Sequence, residues 1–95
     1  MQVTHDAQAR RFSGEIDGHA CRLDYRLHEY DHEVMLTHTF VPPALRGRGA
    51  AAELVKAALD WARAEGLKVV PACSYVRVYM RRHPDTLDLL ADERP

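Results

Sequence analysis

Between Phe12 and Val41 apolar residues tend to recur at every second position, and from Ala50 onward they recur at every third and fourth. Phe12 and Ile16 fall on one face of a strand, and Asp17-Gly18 is a two-residue hairpin signal. In the run ACRLDYRL, Cys21, Leu23, Tyr25 and Leu27 point one way, while Arg22, Asp24 and Arg26 point the other. A polar turn around Tyr30, Asp31 and His32 leads into EVMLTHTFV, where simple alternation puts Val34, Leu36 and Phe40 on one face with His38. The pattern predicts a three-stranded antiparallel meander.

Pro42 and Pro43 cannot continue a ladder and end the last of these strands. Beyond them, Ala51, Leu54, Val55, Ala58 and Ala62 form one helical stripe, with Glu53, Lys56, Asp60 and Arg63 opposite. Gly66 is placed to cap that helix, with Leu67 folding back on it. LKVVPAC is too short for a helix and reads as a strand near Val69 to Ala72. Tyr75 to His83 reads as a second helix stopped by Pro84, and the acidic and basic last residues as a frayed tail. The order predicts an α+β fold with a mixed sheet: an antiparallel meander, a β-α-β crossover and a C-terminal helix. Glycines then fall between the carboxyl end of a strand and the start of a helix, where such sheets bind ligands.

Ninety-five residues make one domain, expected to span 1–95, with room for one core. Apolar residues are 46% and charged residues 28%, an ordinary globular composition. A net charge of −1 gives no global attraction to nucleic acid or anionic membrane, so any anion site must be local. No stretch approaches the roughly 20 apolar residues of a membrane span, and no export signal is seen. Cys21 and Cys73 form no disulfide framework and read as reduced thiols of a cytoplasmic protein.

The local anion site is RGRGAA, Arg46 to Ala51. The first N–H groups of a helix lack internal partners, the helix dipole adds positive charge, and glycines let a phosphate approach the backbone. Arg46 and Arg48 add full charges. The alternative is a tight turn that needs glycine and carries surface arginines. Neither common nucleotide motif fits. A P-loop needs a lysine and a hydroxyl that are absent, and Gly47-x-Gly49-x-x-Ala52 lacks both its acidic partner and a parallel strand before it.

Arg46-x-x-Gly49-x-Ala51 matches the Arg/Gln-x-x-Gly-x-Gly/Ala signature of the Gcn5-related N-acetyltransferases, and Leu36 to Pro84 resembles the very small, single-domain branch of that superfamily. The likeness lies in the His38-Thr39 strand, Val41-Pro42 before the loop, Pro71-x-Cys73 after the next strand, and His83-Pro84. It implies a minimal acyl-CoA N-acyltransferase fold, acetyl-coenzyme A as co-substrate, no metal, and transfer of acetyl to an amine of a small molecule or protein. By the same resemblance, the pyrophosphate sits on the backbone of Arg46, Gly47, Arg48, Gly49, Ala50 and Ala51, and the pantetheine arm lies along Phe40 and Val41. Larger relatives insert two helices that shape the acceptor site. Only Ile16-Asp17-Gly18 stands in their place here, so the acceptor and the oligomeric state are left open.

Amine acetylation needs a base, an oxyanion donor and a proton for the leaving thiolate. Cys73, at the end of its strand, is a candidate nucleophile or a pocket wall. His38 is a candidate base or a core histidine, and Tyr79 a candidate acid, with Tyr75 its competitor and core packing the alternative for both. Arg81 and Arg82 are either phosphate contacts or solvated. His28 and His32 are separated by a turn and no metal set is expected. Cys21 and Trp61 are expected in the packing. Besides an enzyme, the same loop suits a coenzyme A-binding module without turnover. A nucleic-acid binder is disfavoured by net charge and the lack of interleaved aromatics.

Overall fold

The computed structural model describes residues 1–91, and the acidic and basic tail expected to fray falls largely outside them. Five strands form one sheet: β1 (Thr4–Asp6), β2 (Arg11–Ile16), β3 (His19–His28), β4 (Glu33–Phe40) and β5 (Lys68–Pro71), in the order β1-β2-β3-β4-β5. β1 to β4 run antiparallel, and β5 returns parallel to β4 through α1 (Ala50–Ala64). The Asp17-Gly18 hairpin has both residues at positive φ, 50° and 79°, as its turn type requires. β1 is an addition to the expected meander. Its three residues, Thr-His-Asp, carry no alternation to announce it.

One face of the sheet is packed. Leu54, Val55, Ala58, Leu59 and Ala62 of α1 bury against Leu23, Tyr25, Val34, Leu36 and Val69. The buried stripe differs slightly from expectation: it begins at Ala50 and includes Leu59, while Ala51 is only half-buried. α2 (Ser74–Arg82) adds Val76 and Met80 to the same core. Cys21 is buried there as expected. Trp61 packs edge-on against Phe12 and His5, and His5 donates to or accepts from the Tyr25 hydroxyl at 2.6 Å. After Pro84 the chain does not fray at once. A 3-10 turn over Pro84–Leu89 buries Leu89, and Leu90 bridges Val69.

The other face stays open and polar along Arg11, Arg22, Asp24 and Arg26. Its pattern depends on a bulge. Tyr25 pairs with Leu36, but Asp24 pairs with His38, so Thr37 has no partner on β3. The Thr37 hydroxyl donates to the Asp24 carbonyl at 3.1 Å. Every residue after the bulge therefore changes face. Thr39 turns inward opposite Leu23, while His38 and Phe40 turn outward opposite Asp24 and Arg22. The expectation that His38 and Phe40 share the face of Val34 and Leu36 is overturned, and His38 is exposed rather than set in the core.

Candidate functional site

β4 and β5 pair only from Glu33 with Lys68 to Leu36 with Pro71. One further bond ties the chain just past β5 to β4: the Cys73 N–H donates to the Leu36 carbonyl at 3.1 Å. Beyond it β4 continues to pair with β3 as far as Phe40, but its other edge has no neighbouring strand among the described residues. Into that splay opens a cavity of about 620 Å³, lined by His38 to Val41, by Leu45, Arg46, Gly47, Gly49, Ala50 and Ala51, and by Tyr75.

The floor of the cavity is the loop after β4. Pro43–Leu45 make a 3-10 turn that buries Leu45, anchoring the loop to the core. Gly47 and Gly49 then sit at φ 79° and 80°, a conformation that costs a side-chain-bearing residue about 1–2 kcal/mol. A Cβ at either glycine would meet nothing within 4 Å. The glycines thus serve the turn, and the space above them is open. The N–H groups of Arg46 and Arg48 are already bonded, to Pro43 and Leu45. Those of Gly47, Gly49, Ala50, Ala51 and Ala52 make no hydrogen bond to the described residues, and Gly49 as N-cap has no side chain to meet that of Ala51 or Ala52. Five unmet donors at the positive end of a fifteen-residue helix form a ready anion cradle.

The arginines divide. Arg46 lines the cavity, with its Nε 3.4 Å from Val41 O. Arg48 turns the other way and pairs with Asp17 of the β2–β3 hairpin at 2.8 Å. With its N–H spent on Leu45, Arg48 is not among the residues that line the cavity.

Thr39 lines the far wall, and the Cys73 thiol, not itself among the lining residues, lies behind it 3.6 Å from the Thr39 hydroxyl. Cys73 caps α2 from extended backbone, φ −88° and ψ 133°, with no side-chain hydrogen bond to the first turn. Burial alone would push the thiol up. The Thr39 hydroxyl, to which the thiol donates, and the nearby Val76 and Tyr75 N–H groups outweigh it and hold the thiol below its ordinary value. Alternation does not single out Thr39. The one signal is a hydroxyl next to His38 on a strand otherwise apolar on its inner face.

The remaining candidates are spread. His38 reaches the cavity mouth from the outer face of β4. The Tyr75 ring is on the wall and exposed. Tyr79 is not among the lining residues: its ring lies flat on His83, 3.9 Å between centroids, and burial pushes its hydroxyl up. His83 in turn bonds the Tyr79 carbonyl at 2.8 Å, so the His-Pro pair closes the end of α2. The turn after β3 does bring carboxylates to a histidine, contrary to expectation. His28, Asp31 and Glu33 present ligand atoms within 4.8 Å of one another, with Asp31 exposed and Glu33 half-buried, at the opposite end of β4 from the splay.

A family model described as GCN5-related N-acetyl-transferase matches residues 11–89. The chain belongs to that family. It is 43% identical over 86 residues to mouse Protein NATD1, covering 88% of this chain and 77% of that one, and 41% identical to human Protein NATD1 over the same length. In solved structures it is similar to a GCN5-like protein from Staphylococcus aureus, with a TM-score of 0.73 at 22% identity, covering 98% of this chain and 90% of that one. That likeness extends the shared fold over β1 and over α2, and the family match takes in the splay, the loop, Cys73 and His83-Pro84 together.

Proposed function

We propose that the chain is an acetyl-coenzyme A-dependent N-acetyltransferase. The observation that carries this reading is the continuity of one cavity from five unmet backbone donors at Gly47 to Ala52 to the half-paired edge of β4, with Thr39 on its wall and Cys73 directly behind. A pyrophosphate suits the first end, an arm bearing amides suits the bare strand edge, and a thioester carbonyl suits the second end. Family membership supports the acyl donor.

Two routes for the acetyl group remain. In one, the Cys73 thiolate attacks the thioester carbonyl, the carbon–sulfur bond to coenzyme A breaks, and an amine then takes the acetyl from Cys73. In the other, the amine attacks directly while His38 or a water takes its proton. Tyr75 lines the cavity and Tyr79 does not, which favours Tyr75 as the acid that returns a proton to the leaving thiolate. A binding module without turnover is the second reading, favoured by His38 standing on the outer face, away from Cys73.

Gly49→Asp separates fold from ligand. Aspartate tolerates positive φ and is a good N-cap, so the helix survives, but its carboxylate occupies the cradle. Calorimetry should show coenzyme A affinity lost with thermal stability kept; retained affinity overturns the site. Mass spectrometry after acetyl-coenzyme A alone distinguishes the routes, because only the first leaves acetyl on Cys73.

A further inference from the structure

Phe40 belongs to two cavities at once. On one side it lines the splay. On the other it borders a second hollow of about 370 Å³ on the open face of the sheet, with Asp6, Arg11, Ser13 and Arg22. The Arg22 guanidinium lies 5.1 Å from the centre of the Phe40 ring. Arg11 and Arg22 both spend their Nε on Asp24, at 2.8 and 3.3 Å, and Asp24 is the cross-strand partner of His38. The carboxylates here are engaged: Asp24 by both arginines, and Asp6 by the Ala9 N–H at 3.1 Å. The terminal guanidinium nitrogens of Arg11 and Arg22 have no partner among the described residues. What the hollow lacks is an acceptor for fork-shaped donors, and a carboxylate is that acceptor.

We propose that this hollow is the acceptor pocket, and that the acceptor is a small primary amine carrying a carboxylate several bonds away. The proposal rests on the transferase reading and narrows its substrate. Adjacent strands lie about 4.8 Å apart, so Arg22 and Arg11 stand one and two strands from the edge of β4. An amine reaching past Phe40 to that edge, with its carboxylate held between the arginines, needs about 5–10 Å between its ends, the length of an ω-amino acid. The amine then passes His38, whose neighbour Asp24 is fixed by the same two arginines. Phe40 and the apolar stem of Arg22 accommodate the methylenes between.

The test uses the full chain loaded with coenzyme A and two probes, γ-aminobutyrate and butylamine, which differ by the carboxylate. Backbone amide NMR should show γ-aminobutyrate shifting Arg11, Arg22 and Phe40, with butylamine at least about tenfold weaker, the loss expected for one charge-assisted contact. Arg11→Met and Arg22→Met should each remove that preference and leave coenzyme A affinity unchanged. Arg22→Lys, which keeps the charge beside Asp24 without the fork, should restore it only in part and guards against a fold defect. Equal binding of the two amines, or shifts elsewhere, overturns the proposal even if acetyl transfer occurs. Selective binding with no acetylated γ-aminobutyrate formed once acetyl-coenzyme A replaces coenzyme A upholds the pocket and overturns the transferase reading instead.

Discussion

The Thr39 hydroxyl and the Cys73 thiol face each other at 3.6 Å across the gap where β4 and its neighbour part, 34 residues apart in sequence. The bulge at Thr37 creates this relationship. Without it Thr39 would turn to the open face and the thiol would lose its hydroxyl. Thr39→Val should therefore raise the Cys73 pKa and slow its alkylation by iodoacetamide at neutral pH, with little change in melting temperature. The depressed pKa also favours the folded state at pH above the ordinary thiol value, a contribution lost as pH falls through the folded value. An unchanged alkylation profile in the variant would mean that the α2 amides alone activate the sulfur.

Gly49→Ala should cost about 1–2 kcal/mol of stability, since alanine must adopt φ near 80° with no clash to add to the strain. Urea unfolding measures it. If alanine is neutral, the glycine is needed for ligand approach and not for the turn.

Arg46→Met should weaken coenzyme A binding, and Arg48→Met should not, because the Arg48 side chain is committed to Asp17. Loss of that exposed pair should cost less than about 1 kcal/mol in stability. Equal losses of affinity on calorimetry would show that Arg48 leaves Asp17 when the ligand arrives.

His5 stacks on Phe12 at 4.1 Å and burial lowers its pKa, so the unfolded chain takes up a proton before the folded one does. Stability should then fall as pH drops below the ordinary histidine value of about 6.5. His5→Phe should flatten that part of the pH dependence while costing about 1 kcal/mol at higher pH for the Tyr25 hydroxyl left unpartnered. Melting followed by fluorescence of Trp61, which touches the His5 ring, reads both.

Much of the architecture is written in local periodicity. The 3.6-residue stripe of α1, the two-residue alternation of β3 and the Asp17-Gly18 turn are each decided by neighbours a few positions away. So is the cradle, since Gly47 and Gly49 are required by their own backbone angles. What the chain hides is set by distant partners. The bulge is one unpaired residue, visible only when β3 and β4 are laid side by side, and it reverses the face of His38. Arg48 looks identical to Arg46 until Asp17 is brought beside it. Tyr79 and Tyr75 share one helix face, and only the stacking of His83 tells them apart. β1 is polar and three residues long, recruited by an existing edge and not by its own pattern.

β4 begins as an interior strand and finishes as an edge strand within eight residues. Its second half is a row of backbone groups that no strand among the described residues meets, a slot one strand wide. Such edges invite pairing between molecules. Pro42 and Pro43 confine it to a few residues by ending the ladder at once, and the loop anchored by Leu45 closes one end. An amide-bearing ligand arm that lies in the slot completes the sheet. It should slow amide hydrogen exchange at Thr39 to Val41 and suppress self-association of the protein on storage.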